Sequence, residues 1–448
     1  MKVAVRSDGV ALVTLDDAAA EPTVFTDAFA SRLDAVVDQL RDDPRITGAV
    51  LWSGKPGSFV VGRDLEATRG IRLARDGERV ARRFASRLMR LREVGKPIVA
   101  AVHGAAHGAG FELALACTGI VATDDPGTSV ALPEVRLGLV PAANGLLRVA
   151  DRAGLRIALE LGLLGASVDS ARAARLGLVD EVCPPALLLD VAAWRARTSS
   201  AASTRSPMTR LAVERNAIGR RMILGRARAA LDGANTRHNP ARARILEIVD
   251  CLARDGFSRA AALEAQVFGE LVMSERSRTL VEVSLDGGSD VVDGAAAYAK
   301  RLRAPWVNEA LFLVADGVSP EAIHRALIAW GWRDGPLPVE LSAAHRNVRP
   351  SAISSEEIQM RGALRFVNEA IACLDEGVIR DPRGADAHAI TAHGFPPFRG
   401  GPFRYVDAVG PAEVLRRLRA YESRFGARFR PAPALITRAS TGQRFYPD

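Results

Sequence analysis

Across about the first 190 positions, apolar residues alternate between short unbroken runs and helically spaced patterns. Val10–Leu15, Gly48–Trp52 and Pro97–Val102 are apolar runs bounded by turn residues, the pattern expected of buried strands. Ala28–Leu40 carries apolar residues at helical spacing, and the Ala-rich stretches Glu112–Cys117 and Leu155–Leu163 read as buried helices. This alternation predicts an α/β domain over 1–190. Strand signals then stop. The small polar stretch Ser199–Thr204 is a plausible linker start, and helical patterns follow at Arg244–Leu252 and Ala261–Met273. Asp286–Asp290 marks a break, and from Trp306 the pattern is helical up to a Gly/Pro/aromatic loop at 394–405. The expected division is 1–190, a linker helix region over 191–303, and a helical domain over 304–448.

Composition narrows the class. The chain has 448 residues, 48% hydrophobic and 25% charged, enough to bury sizeable cores without disulfide staples. Runs of about 18 apolar residues are absent and the first residues lack a signal-peptide core, so neither spanning nor secretion is expected. Cys117, Cys183, Cys251 and Cys373 lie far apart without CxxC spacing, which favours a reducing cytoplasm. The net charge of +8 comes almost wholly from arginine, since lysine occurs only at 2, 55, 96 and 300. Residues 191–260 hold 14 Arg against 5 acidic residues, so this one segment carries the imbalance. Without aromatic interleaving, a solvated basic helical face explains it better than nucleic-acid binding.

Candidate chemistry gathers where Pro97–Val102 ends. His103-Gly104-Ala105-Ala106-His107-Gly108-Ala109-Gly110-Phe111-Glu112 joins that strand to a helix, with glycines that let amides approach a ligand closely. A helix start with free N–H groups suits a developing anion such as an enolate oxygen. A second carboxylate, Glu134, follows in Leu132–Pro141, and two glutamates beside an apolar pocket suit acid–base work. Either one alone reads more readily as a surface or capping carboxylate. Gly57–Asp64 is close to a P-loop but has Arg63 and Asp64 where Lys and Ser/Thr are required. The scattered histidines show no metal-ligand spacing, so no metal site is expected; His107 is the one worth testing for substrate contact.

The run Gly95–Gly104, the GAGFELALAC block, LPEVRLGLVP and Ala173–Val182, with Ser58–Leu65 before them, resemble the enoyl-CoA hydratase/isomerase (crotonase) family in its order. The resemblance implies an α/β crotonase-like fold and an acyl-CoA substrate. It implies an oxyanion hole from the backbone N–H groups of Val61 and Ala109. Glu112 would activate the water and Glu134 would supply the α-carbon proton, with Gly62, Arg63, Asp64, Gly108, Gly110, Pro133, Pro141 and Ala142 lining the substrate. Three departures stand out: Ala109 replaces the oxyanion glycine, the glycine-rich turn is Pro141-Ala142-Ala143-Asn144-Gly145, and the Glu112–Glu134 interval is longer through Asp124–Gly127.

Downstream, His238–Arg242, Glu264–Leu271 and Ser274–Ser277 resemble the linker helices of the α subunit of bacterial fatty-acid oxidation (trifunctional) complexes. Trp306–Pro336, Glu356–Arg361, Val367–Ala370 and Gly394–Tyr405 resemble the helical C-terminal domain of 3-hydroxyacyl-CoA dehydrogenases. That family's Rossmann domain is missing: no GxGxxG occurs, and Leu285–Pro305 reads as a short bridge. Asn308-Glu309 stands where the family has a catalytic Asn followed by Arg. The resemblance therefore implies hydration of a trans-2-enoyl-CoA in fatty-acid or related acyl-CoA metabolism, with neither NAD nor another cofactor. Its alternatives are Δ3-Δ2 enoyl-CoA isomerisation or an impaired scaffold subunit that binds a thiolase. A monomer or homodimer is expected.

Overall fold

The computed structural model describes residues 1–16, 22–198, 217–232, 239–286, 295–337 and 353–446. Ser199–Thr204, His238 and most of the break at 286–290 lie outside the described residues. The chain packs into two compact units, Met1–Ser277 and Arg278–Asp448. The helices expected as a linker over 191–303 fall on both sides of that division.

The first unit is built on two sheets. Strands β1 (Lys2–Val5), β2 (Val10–Thr14), β3 (Gly48–Trp52), β5 (Ile98–Val102), β7 (Gly119–Thr123) and β10 (Glu181–Cys183) form one sheet in that order. All neighbours are parallel except β1 with β2. β5 and β7 are buried along their whole length, which is why β5 reads as an unbroken apolar run in the sequence. The second sheet holds β4 (Ser58–Val61), β6 (Ala105–His107), β8 (Ser129–Ala131) and β9 (Val168–Asp169), each too short to leave a periodic signal.

The helices of this unit are α1 (Asp27–Asp42), α2 (Leu65–Arg69), α3 (Ala74–Glu93), α4 (Ala109–Ala116), α5 (Gly145–Ala153), α6 (Leu155–Leu164), α7 (Ser170–Leu176) and α8 (Leu188–Thr198). They are followed by α9 (Ala217–Asp232), α10 (Pro240–Asp255) and α11 (Phe257–Val272). Every residue of α4 is buried, so it runs through the core and Glu112 is its one charged side chain. The 20-residue α3 turns Gly77, Ala81, Phe84, Leu88 and Leu91 inward, alternating steps of four and three residues.

In the second unit every described element is helical. The stretch expected as a short bridge instead contains, from Ala295, the opening turns of a 21-residue helix to Ala315. Pro305 sits inside it. The buried stripe Tyr298, Leu302, Trp306, Ala310 and Leu313 continues past the proline, so packing holds together a helix that proline alone would break. Glu309, fully buried, pairs with Arg361 at 2.6 Å and with Arg428 at 2.9 Å. Its place in the Asn308-Glu309 pair is thus structural, because one member of a buried ion pair cannot be removed without stranding the other. The loop Gly394–Tyr405 is tied down by Asp386, which accepts from the Phe403 N–H at 2.8 Å, the Arg404 N–H at 3.1 Å and the Tyr446 hydroxyl at 2.7 Å.

Candidate active site

The site begins where β6 turns into α4. Gly108 stands at φ +55°, a backbone region that side chains disfavour. A Cβ there would also lie 2.9 Å from Glu134 Oε1 and 3.5 Å from the Gly62 Cα. The glycine therefore lets the Glu134 carboxyl and the β4 end close over the start of α4. Gly110, the second residue of α4, leaves no room for a Cβ against the Val60 carbonyl, so the helix start sits directly on β4.

Glu112 is 1% exposed. Its Oε1 accepts from the Ala143 N–H at 2.7 Å and the Gly145 N–H at 2.9 Å, so the Pro141–Gly145 turn holds the carboxylate directly. The Ala142 N–H adds to that stabilisation. Gly145 is retained for a steric reason: a Cβ there would be 2.8 Å from Glu112 Oε1. Asn144 fills a left-handed position at φ 66°, which its short polar side chain tolerates. This is how the altered turn does without further glycines. Burial raises the Glu112 carboxyl to about 7, with the amide donors and Arg148 opposing the rise.

Glu134 lies in the short 3-10 turn Pro133–Leu137, where Pro133 occupies the first position. Its Oε2 is buried with no hydrogen-bond partner among the described residues. Burial first, and then repulsion from Glu112, push its carboxyl up to about 8. The two glutamates that the sequence leaves 22 residues apart thus share one electrostatic site. The extra residues at Asp124–Gly127 are exposed and form a turn between β7 and β8, closed by the Thr128 N–H donating to Asp125 O at 2.9 Å. The longer interval is taken up there, away from both carboxyls.

The expected oxyanion pair needs a correction. The Val61 N–H donates to the Thr23 carbonyl at 2.8 Å, and the Gly62 N–H to the His107 carbonyl at 2.8 Å. Both amides are taken up by backbone bonds, that of Gly62 by the strand β6 beside β4. The next N–H, that of Arg63, and the first of α4, that of Ala109, carry no hydrogen-bond partner among the described residues. Position 62 is the turning point: Gly62 adopts φ +70° with open space where a side chain would be. Asp64 caps α2, accepting from the Glu66 N–H at 2.9 Å and the Ala67 N–H at 3.3 Å, and lines the same cavity as Arg63. The Arg63 guanidinium lines a small cavity of about 50 Å³ with Phe25, Asp27, Arg83, Phe84 and Arg87, and its Nη1 is buried with no hydrogen-bond partner among the described residues. His107 Nε2 meets Ser129 Oγ at 3.0 Å, which pairs it within the β6–β8 region.

One buried carboxylate was not among the candidate site residues. Glu264 of α11 is 1% exposed and its Oε1 accepts from the Asn144 N–H at 2.6 Å. A signal was present all the same: Glu264 falls on the same stripe as Ala260, Val267, Phe268 and Leu271, so helical spacing alone places a charge in the core. Metal binding has no comparable support, since no cluster of three or more His, Cys, Asp or Glu suited to an ion occurs among the described residues.

Residues 5–221 match the model of the enoyl-CoA hydratase/isomerase family. Solved structures similar to this chain include a monofunctional enoyl-CoA isomerase from M. smegmatis, at 27% identity over 45% of this chain and 86% of that one, with a TM-score of 0.36. An enoyl-CoA hydratase/isomerase family protein from Silicibacter pomeroyi shares 25% identity over 44% and 83%, TM-score 0.38. An enoyl-CoA hydratase from Bacillus anthracis shares 22% over 57% and 90%, TM-score 0.40. The match takes in the N-terminal part of this chain, 217 of its 448 residues, and the described elements after it are all helical.

Proposed function

We propose that this protein adds water to a trans-2-enoyl thioester of coenzyme A, giving the 3-hydroxyacyl thioester. The observation that carries the reading is the pair of carboxyls, the buried Glu112 and the half-buried Glu134 with its buried Oε2, beside the N–H groups of Arg63 and Ala109 that have no partner among the described residues. The thioester oxygen accepts from the two amides, which favour enolate character; one such donor is commonly worth about 10²–10³ in rate. Ionised Glu112 takes a proton from water as the water oxygen bonds to the β-carbon. Protonated Glu134 gives its proton to the α-carbon. The net addition is one water, and a later exchange of protons resets the pair. The surroundings support this assignment: amides stabilise the charge on Glu112, whereas Glu134 Oε2 has no donor and faces that charge.

Isomerisation of a 3-enoyl to a 2-enoyl thioester would use the same amides and Glu134 alone. Glu112→Gln separates the two reactions. Hydration is expected to fall by about 10²–10⁴, the usual worth of a general base, while any isomerisation persists. Equal loss of both reactions would contradict this division of roles between the two glutamates. The helical unit is read as a dehydrogenase-type C-terminal domain without its nucleotide-binding partner, a scaffold on which a thiolase could dock.

A further inference from the structure

Three side chains beyond the family-matched segment reach back into the loop between Pro133 and Gly145, and each meets a main-chain group. Asn239 Nδ2 donates to the Val135 carbonyl at 2.7 Å, and Ser277 Oγ donates to the Gly138 carbonyl at 2.7 Å. Glu264 Oε1 accepts from the Asn144 N–H at 2.6 Å. The third contact has the most consequence. Asn144 is the one non-glycine residue with positive φ among the described residues, and the amides on either side of it, those of Ala143 and Gly145, both hold Glu112. Glu264 and Glu112 therefore hold alternate amides of one tripeptide.

Backbone packing fixes the helix that brings Glu264 there. Where α11 crosses α3, a Cβ on Gly269 would lie 2.2 Å from the Ala74 carbonyl oxygen, and one on Gly77 would lie 2.9 Å from the Gly269 Cα. With α11 set at that depth, Glu264 cannot drift from the turn. We infer that Glu264 is a positioning residue for Glu112. By holding the Asn144 amide it fixes the two flanking amides that orient the Glu112 carboxylate, so helices outside the matched segment complete the active site. This rests on the hydration reading above. Burial and the neighbouring Glu112 and Glu134 hold the Glu264 carboxyl well above its ordinary range, which disfavours a third charge in the site. A carboxamide is therefore a close substitute, whereas a hydrocarbon leaves the buried Asn144 N–H without an acceptor.

The test uses the full chain with Glu264→Gln and Glu264→Leu, steady-state hydration of crotonyl-CoA, and amide hydrogen exchange over residues 142–146. Glu264→Gln is expected to keep kcat within about threefold. Glu264→Leu is expected to lose about 10²-fold in kcat, the cost of a misplacement near 1 Å, with little change in KM. Exchange at 142–146 should rise in the Leu variant and stay protected in the Gln variant. Wild-type kcat in the Leu variant, equal loss in both variants, or an unprotected Asn144 amide in the wild type would overturn the inference. Should the Leu variant fail to fold, the Gln variant and the wild-type exchange still decide it. Should the wild type hydrate no enoyl-CoA, the hydration reading fails, and the exchange pattern still reports whether Glu264 holds the turn.

Discussion

Glu112 and Glu134 carry the same side chain in different surroundings, and the proposed division of roles rests on that difference. Amide donors from the Pro141–Gly145 turn pull the Glu112 carboxyl back toward ionisation, against its burial. Glu134 has a bare buried oxygen and a like charge beside it. As pH rises, the first proton to leave the pair comes chiefly from Glu112. The predicted kcat/KM profile for hydration is therefore a bell: activity grows as Glu112 ionises and falls as Glu134 loses its proton, with an optimum above the ordinary carboxylate range. Arg63, Arg148 and Glu264 all interact electrostatically with Glu112. Stability has its own pH dependence. Carboxyls raised on folding favour the native state fully below the unfolded value near 4.5, and that advantage is lost as pH rises through the folded values. The melting temperature of the first unit should fall between about pH 5 and pH 8, and fall less steeply in Glu112→Gln. An identical slope in both proteins would show that Glu112 titrates normally in the fold. Both glutamates were legible in the sequence because their motifs are local. The Val61 amide was misassigned because whether an N–H is free depends on Thr23, some 38 positions earlier, and local sequence does not report that pairing.

At the scale of elements, the site depends on close approach of backbones. The crossing of α3 and α11 at Gly77 and Gly269 leaves no room for a methyl group against the Ala74 carbonyl. Gly269→Ala should therefore destabilise the first unit by about 1–3 kcal/mol, as overpacking does. It should also lower kcat, since α11 carries Glu264. A differential melting measurement with a parallel hydration assay checks both. Unchanged melting would mean that the two helices slide apart freely. The long buried strands were legible because a strand covered on both faces must be apolar throughout. The second sheet was not: its strands run from two to four residues, shorter than any periodic signal. The α3 stripe is equally faint in the sequence, because its inward positions include Gly77 and Ala81 among charged neighbours. The helix through Pro305 is hidden for the opposite reason, since proline reads as a stop and only tertiary packing overrides it.

For the whole molecule, the two compact units predict separable behaviour. Incubation with a 3-hydroxyacyl-CoA and NAD should yield no NADH, because no described strand follows β10 from which a nucleotide-binding sheet could be built. NADH formation would overturn that reading of the helical unit. The basic segment over 191–260 is partly neutralised within the fold: Arg195 pairs with Glu181, Arg244 with Glu247 and Glu270, and Arg254 with Asp250. No described helix is long and apolar enough to cross a membrane. The central claim remains that Glu112 and Glu134 act together on an enoyl thioester. Its most direct measurement is crotonyl-CoA hydration by the full chain, followed as loss of the conjugated thioester absorbance, for the wild type, Glu112→Gln and Glu134→Gln. Turnover by the wild type, with each variant reduced by about 10²–10⁴, is the predicted result. Undiminished hydration in either variant would contradict it.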